Sequence, residues 1–322
     1  MKFRSILLAL LVATVPTAHA VDTKPKPAAA KSTAAKPAAK RTAKAVATKP
    51  ASKPAIKTPS AKVPAGPEVR SAAAMVVDAE NGQVLFERKG SLVAPIASIT
   101  KLMTALVVLD GQQPLDEVIK LTNEDKWTGK GAHSRLPIGS KYTREELLKL
   151  ALMASENRAA RVLGRNYPGG LPAFVKTMNL KARALGMTST KFADPSGLSN
   201  LNVSNARDLV KLVNAASRDS RIREYSTQHI LEVKAGRGML RYRNTNLLIG
   251  KDDWDIHVQK TGFTNDAGEC LVMEAVIQDR PVVLVLLNSF GKLTRTADAR
   301  RVRKWMEAQS EASVASSSAA SR

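Results

Sequence analysis

The segment spanning residues 21–66 confines whatever can fold to the chain that follows it. It is built almost wholly from Ala, Lys, Pro, Thr and Ser, with no aromatic residue and almost no large aliphatic one. Such a segment cannot bury enough apolar surface to offset the entropy of ordering it. Ten lysines and Arg41 against the single acid Asp22 give it a net charge of +10. It is expected to be a disordered, self-repelling basic linker with local polyproline II character. Ahead of it, Lys2 and Arg4 precede a short apolar run, Ile6 to Val12, and the small-x-small triplet Ala18-His19-Ala20. Residues 1–20 therefore read as a signal peptide cleaved before Val21. The apolar run is too short to span a bilayer.

From Pro67 the composition becomes that of a folded domain, expected over residues 67–309. The Ser/Ala-rich residues 310–322 are expected to be a disordered tail. The single cysteine of the chain, Cys270, excludes a disulfide-stapled scaffold and a multi-Cys zinc site. In its apolar strand pattern it reads as a small buried residue.

Turn chemistry and periodicity sketch the domain. Met75–Asp78 and Gln83–Phe86 flank Asn81-Gly82, a hairpin signal in which Asn-Gly supplies the positive-φ turn. Leu102, Ala105, Leu106 and Leu109 recur at helical spacing and predict a helix from Ser98 to Leu109. Thr143 and Glu146 have capping-box spacing and open a second apolar helix. Leu171–Leu185, ended by Gly186, and Ser204–Ala216 predict two more. The period then changes. Ile256–Gln259, Cys270–Ile277 and Val282–Leu287 are strand-like, and Thr296–Glu307 is a closing helix. A hairpin, a block of helices, then strands and a helix predict an α+β fold, an antiparallel sheet covered by helices with a helical subdomain.

Three short motifs carry the chemistry. Ser98 and Lys101 are three apart on a predicted helix, one face and within reach of each other. A desolvated Lys101 near another cation can be neutral and take the hydroxyl proton. The spacing alone is weak evidence, because Ser289 and Lys292 share it. Ser155-Glu156-Asn157 follows the second helix and is the only place where Asn stands two residues after Ser. Either it aims a hydroxyl and an amide into a cleft, or it is a simple helix cap. Lys260-Thr261-Gly262 is also unique and lies on a predicted strand. Such an edge can pair with an extended substrate backbone. Lys260 would attract a carboxylate and help lower the Lys101 pKa, and Gly262 would let a substrate come close. Alternatively it is a strand end with a solvated lysine.

Taken together and in this order, the motifs resemble the active-site signature of the penicillin-recognising serine acyltransferases. The likeness extends to Pro95–Ala105, Leu150–Ala160, Asp194–Leu198 and Lys260–Gly268, and covers roughly residues 70 to 307. Within low-molecular-mass penicillin-binding proteins it is closest to the D-alanyl-D-alanine peptidases of family S11. The Ser-Glu-Asn form and Tyr167-Pro168-Gly169-Gly170 point to their endopeptidase branch.

The resemblance implies a penicillin-binding/β-lactamase-like transpeptidase fold and roles for individual residues. Ser98 would attack the carbonyl after a D-alanine, with Lys101 as base. Ser155 would pass the proton to the leaving amine, and Asn157 would orient Lys101 and the substrate. Lys260 and Thr261 would bind the substrate carboxylate. The N–H groups of Ser98 and Phe263 would form the oxyanion hole beside Gly262. The implied partners are cross-linked peptidoglycan peptides and β-lactams. The alternatives are a β-lactamase, which needs a further carboxylate to activate water, and a non-catalytic binding protein.

No cofactor is implied. His133, His229 and His257 lack metal-ligand spacing, so neither a metal nor a Ser-His-Asp triad is expected. The export signal places the protein in the periplasm, soluble or loosely attached to the membrane, and argues against nucleic acid as a partner of the basic linker. An anionic wall or membrane surface suits that linker better, unless it is a solvated spacer with no partner. The basic cluster of Arg295, Arg300, Arg301, Arg303 and Lys304 reads as a solvated helix face.

Overall fold

A computed structural model describes residues 66–129 and 134–320. The expected signal peptide, the linker up to residue 65 and His133 lie outside the described residues. The hairpin β1 (Ala73–Asp78) and β2 (Val84–Arg88) turns where the sequence predicts. Gly82 takes φ +75°, and the Asn81 side-chain oxygen accepts from the Gln83 N–H at 2.8 Å.

A short β3 (Ala94–Pro95) leads through a single 3-10 turn, Ala97–Ile99, into α1 (Thr100–Asp110). The small hairpin β4 (Val118–Lys120) and β5 (Lys141–Thr143) precedes α2 (Arg144–Met153), α3 (Asn157–Arg165) and α4 (Gly170–Ala184). The capping box opens α2: the Thr143 hydroxyl accepts from the Glu146 N–H, and the Glu146 carboxylate accepts from the Thr143 N–H. Next, β6 (Val203–Ser204) pairs with β3. This pairing delays the expected Ser204 helix, and Asn205 becomes the cap of α5 (Ala206–Ala216).

After α6 (Ser220–Thr227) comes the hairpin β7 (Ile230–Ala235) and β8 (Gly238–Arg243). The chain closes with β9 (Asp255–Thr264), β10 (Gly268–Ile277), β11 (Arg280–Ser289) and α7 (Thr294–Ala320). That last helix runs on past Ser310, where composition predicted a disordered tail. Its alanines have the highest helix propensity and continue the helix already started.

The five long strands form one antiparallel sheet in the order β2-β1-β11-β10-β9. Alternate residues face opposite layers, as pleating requires. Met75, Cys270, Val272, Val283 and Val285 pack into the core with α1, α5 and the other helices. Val76, Leu271, Met273, Leu284 and Leu286 pack with Ala299, Val302, Trp305 and Met306 of α7. The sheet is thus a middle layer with both faces covered, which is why its strands read as nearly continuous apolar runs. Thr100 through Leu109 of α1 are all buried, so this helix is the axis of the helical body. None of the described helices is long and apolar enough to cross a membrane.

Candidate active site

The site forms where the start of α1 meets the sheet edge β9. Ser98 lies in the 3-10 turn before α1, not in the helix as the periodicity suggested. The residue before it, Ala97, has φ +47°, a left-handed conformation that is strained for any residue with a Cβ. Two glycines press on this turn. A Cβ on Gly197 would lie 1.9 Å from the Ala97 carbonyl oxygen. A Cβ on Gly262 would lie 2.9 Å from the Ile96 carbonyl oxygen and 3.2 Å from the Ser98 nitrogen. Gly262 thus lets the nucleophile turn lie close against β9, in addition to the substrate approach expected of it.

Lys101 is completely buried. Its Nζ is 2.7 Å from each of three oxygens: Ser98 Oγ, Asn157 Oδ1 and the Ser196 carbonyl. Burial lowers its pKa to about 7, against the opposing pull of the Asp194 and Glu156 carboxylates. The Ser196 carbonyl is aimed by a turn built around Asp194. The Asp194 carboxylate accepts from the N–H groups of Ser196, Gly197 and Ser199, from the Ser196 hydroxyl and from the Asn202 amide. The Thr104 hydroxyl adds a bond to the Pro195 carbonyl at 2.6 Å.

The Ser155 segment is a tight turn between α2 and α3, with Ser155 at φ +58°. The cap of α3 is Glu156, whose side chain accepts from the Arg158 N–H. That frees Asn157 to meet Lys101, and among the described residues the Ser155 hydroxyl has no hydrogen bond. Ser155 lines a pocket of about 350 Å³ with Asn157, Tyr242, Arg243 and Thr245.

Lys260 is also fully buried, on the edge strand β9. Its Nζ donates to the Thr261 carbonyl at 2.9 Å. Burial pushes its pKa well down, and the charges of Lys101 and Arg295 push it further. For Lys101 the cause is its burial, and the expected contribution of Lys260 is not what lowers it. The Thr261 hydroxyl is paired with that of Thr245 at 2.6 Å. Phe263, next along the strand, is exposed.

The structure therefore joins Ser98, Lys101 and Asn157 directly. It sets Lys260 and Thr261 beside them on β9 and places Ser155 at the cleft without a bond to the cluster. The competing Ser289 is buried, with its hydroxyl on Ser71 at 2.7 Å. Arg295 corrects the reading of a solvated basic face. It reaches from α7 to donate to the Gly262 carbonyl at 2.8 Å and pairs with Glu269 at 2.5 Å. Arg301 and Arg303 form pairs along the helix. Arg295 shares a helical stripe with Ala299, Val302 and Met306, and that spacing was the available signal. Thr245 had no comparable signal. Cys270 is buried as expected, its thiol pushed up to about 11 by burial. Among the described residues no cluster of His, Cys, Asp or Glu could hold a metal ion.

Residues 58–291 match the D-alanyl-D-alanine carboxypeptidase family. The chain belongs to that family. It is 49% identical over 247 residues to the D-alanyl-D-alanine endopeptidase of Pseudomonas aeruginosa, covering 76% of this chain and 80% of that protein. The D-alanyl-D-alanine endopeptidase of Escherichia coli K12 is 49% identical over 243 residues, 75% of this chain and 78% of that one. Among solved structures, a penicillin-binding protein of Listeria monocytogenes with cefotaxime bound superposes with a TM-score of 0.65 at 29% identity, covering 74% of this chain and 97% of that one. The α+β fold is that of the penicillin-binding D,D-peptidases, and membership of the family makes the chain a serine hydrolase.

Proposed function

We propose that this family member is a D-alanyl-D-alanine endopeptidase that cuts the bond between D-alanine and diaminopimelate in cross-linked peptidoglycan. The observation that carries the reading is the bonding of Lys101. A neutral amine has two N–H donors and one lone pair. The carbonyl oxygens of Asn157 and Ser196 take the two donors, so the lone pair faces the Ser98 hydroxyl, 2.7 Å away. With a pKa near 7, a large share of Lys101 is in that form at neutral pH. Lys101 would take the Ser98 proton as Oγ attacks the carbonyl carbon of D-alanine. The oxyanion would meet the N–H groups of Ser98 and Phe263, which flank the contact between Ser98 and Gly262. Ser155 would hand a proton to the departing amine, and water would then release the acyl group from Ser98.

Lys260 and Thr261 would bind the carboxylate beside the scissile bond. An arriving carboxylate would raise the lowered pKa of Lys260, because a buried anion nearby favours the ammonium form. The same carboxylate occurs in β-lactams, which supports penicillin as an inhibitor. The open edge of β9 suits an extended substrate backbone. Residues 1–20 would direct export to the periplasm, and the basic linker would hold the enzyme near an anionic wall or membrane surface.

The deciding experiment is digestion of purified cross-linked muropeptide dimers. Conversion to monomers that keep their terminal D-alanine is expected. Loss of terminal D-alanine with the dimer intact would overturn the endopeptidase assignment.

A further inference from the structure

The pocket beside Ser155 holds more positive charge than the reaction requires. Its lining includes Arg135, Tyr242 and Arg243 beside Ser155, Asn157 and Thr245. Neither arginine forms an ion pair with another described residue. Arg135 is placed by stacking, its guanidinium carbon 3.8 Å from the centre of the Tyr242 ring. The buried Tyr242 hydroxyl lies beside Arg135 and, among the described residues, meets no partner in good hydrogen-bond geometry. The acidic residue of the lining, Glu156, is engaged by the Arg158 N–H at the start of α3. Two guanidiniums with no ion pair among the described residues, set against the one carboxylate of Glu156, leave the pocket net positive and suited to a further carboxylate.

Its position says which part of a substrate would reach it. Thr245, on the pocket wall, is hydrogen-bonded to Thr261 at 2.6 Å, the residue assigned to the carboxylate next to the scissile bond. Ser155, on the same wall, is assigned to the departing amine. The pocket therefore continues from the leaving-group side of the cleft. A terminal D-alanine leaves with one carboxylate, which Lys260 and Thr261 take. A peptide released from a cross-link is larger and carries further free carboxylates.

We propose that Arg135 and Arg243 bind a second carboxylate on the departing stem peptide and so favour cross-links over terminal D-alanine. This rests on the endopeptidase reading and adds a specificity determinant to it. An amidated or absent second carboxylate removes the ligand of the two arginines. Such a substrate gains nothing from them.

The test compares kcat/KM for a cross-linked muropeptide dimer with that for terminal D-alanine release from a monomeric pentapeptide, using the full-length protein. Arg135→Ala/Arg243→Ala should lower the dimer-to-monomer ratio about fivefold, the scale of two solvent-screened charge contacts, since both side chains are exposed. Wild-type enzyme should show a similar drop on a dimer whose departing stem has its carboxylates amidated, and the double variant should lose nothing further on it. Should the alanine pair fail to fold, as judged by penicillin labelling, Arg135→Gln/Arg243→Gln is read in its place. An unchanged ratio, or an equal loss on free and amidated dimers, overturns the proposal. Failure of wild-type enzyme to cut any dimer while releasing D-alanine removes the endopeptidase reading itself, and the proposal with it.

Discussion

Lys101 and Lys260 are both shut away from solvent, yet the protein holds them in opposite ways. Lys101, at the start of the central helix, has three oxygen partners and two carboxylates within electrostatic reach. Lys260, on the edge strand, has one carbonyl partner and two cations as neighbours. The first arrangement fixes an amine so that its one free direction points at a hydroxyl. The second leaves an amine short of partners, ready for an anion to supply one. The same side chain at the same depth thus becomes a base or a receptor according to the acceptors around it.

The sharpest break in that contrast is loss of the group the base serves. Ser98→Ala should abolish covalent labelling by fluorescent penicillin, while Ser289→Ala keeps it; labelling of the first variant would refute the assignment. Next in size is Gly197→Ala, whose new Cβ would collide with the Ala97 backbone at a left-handed position. It should cost roughly 3 kcal/mol of stability and most of the labelling, read by denaturant titration.

On the receptor side, Lys260→Ala should reduce acylation by a carboxylate-bearing β-lactam about a hundredfold, and much less for its methyl ester. Equal losses on acid and ester would deny Lys260 its anion. The base side has its own signature in pH. Only the neutral amine can accept a proton, so stopped-flow acylation should fall about tenfold per pH unit below about 7 and level off above it. A profile flat across pH 5 to 8 would contradict the assignment of Lys101. The smallest effect expected is that of Thr245→Val, which leaves Thr261 without its partner and should cost about 1 kcal/mol, a few-fold in acylation rate.

How much of this was legible depended on how local the cause was. The Asn81-Gly82 turn and the Thr143/Glu146 cap are written in three or four adjacent residues, and both form as read. Ser98, Lys101, Asn157, Lys260 and Thr261 converge as the motifs suggested. Helix starts slipped where distant pairing intervened: β6 takes Ser204 away from α5, and the strained Ala97 turn holds Ser98 ahead of α1. The roles of Gly197, Gly262 and Arg295 depend on which backbone lies against which, and periodicity does not encode that. Arg295 left a trace only in its alignment with Ala299 and Val302.

The order of strands in the sheet has a consequence for the timing of activity. The strand β11 lies between β1 and β10, so the first hairpin cannot join the rest of the sheet until nearly the whole domain has been made. At ribosomal speeds the interval from Ser98 to Gly262 is on the order of ten seconds or more. Throughout that time the serine lacks the glycine that braces its turn and the strand that would present a substrate. A partly made chain is therefore inert by topology until β9 is in place.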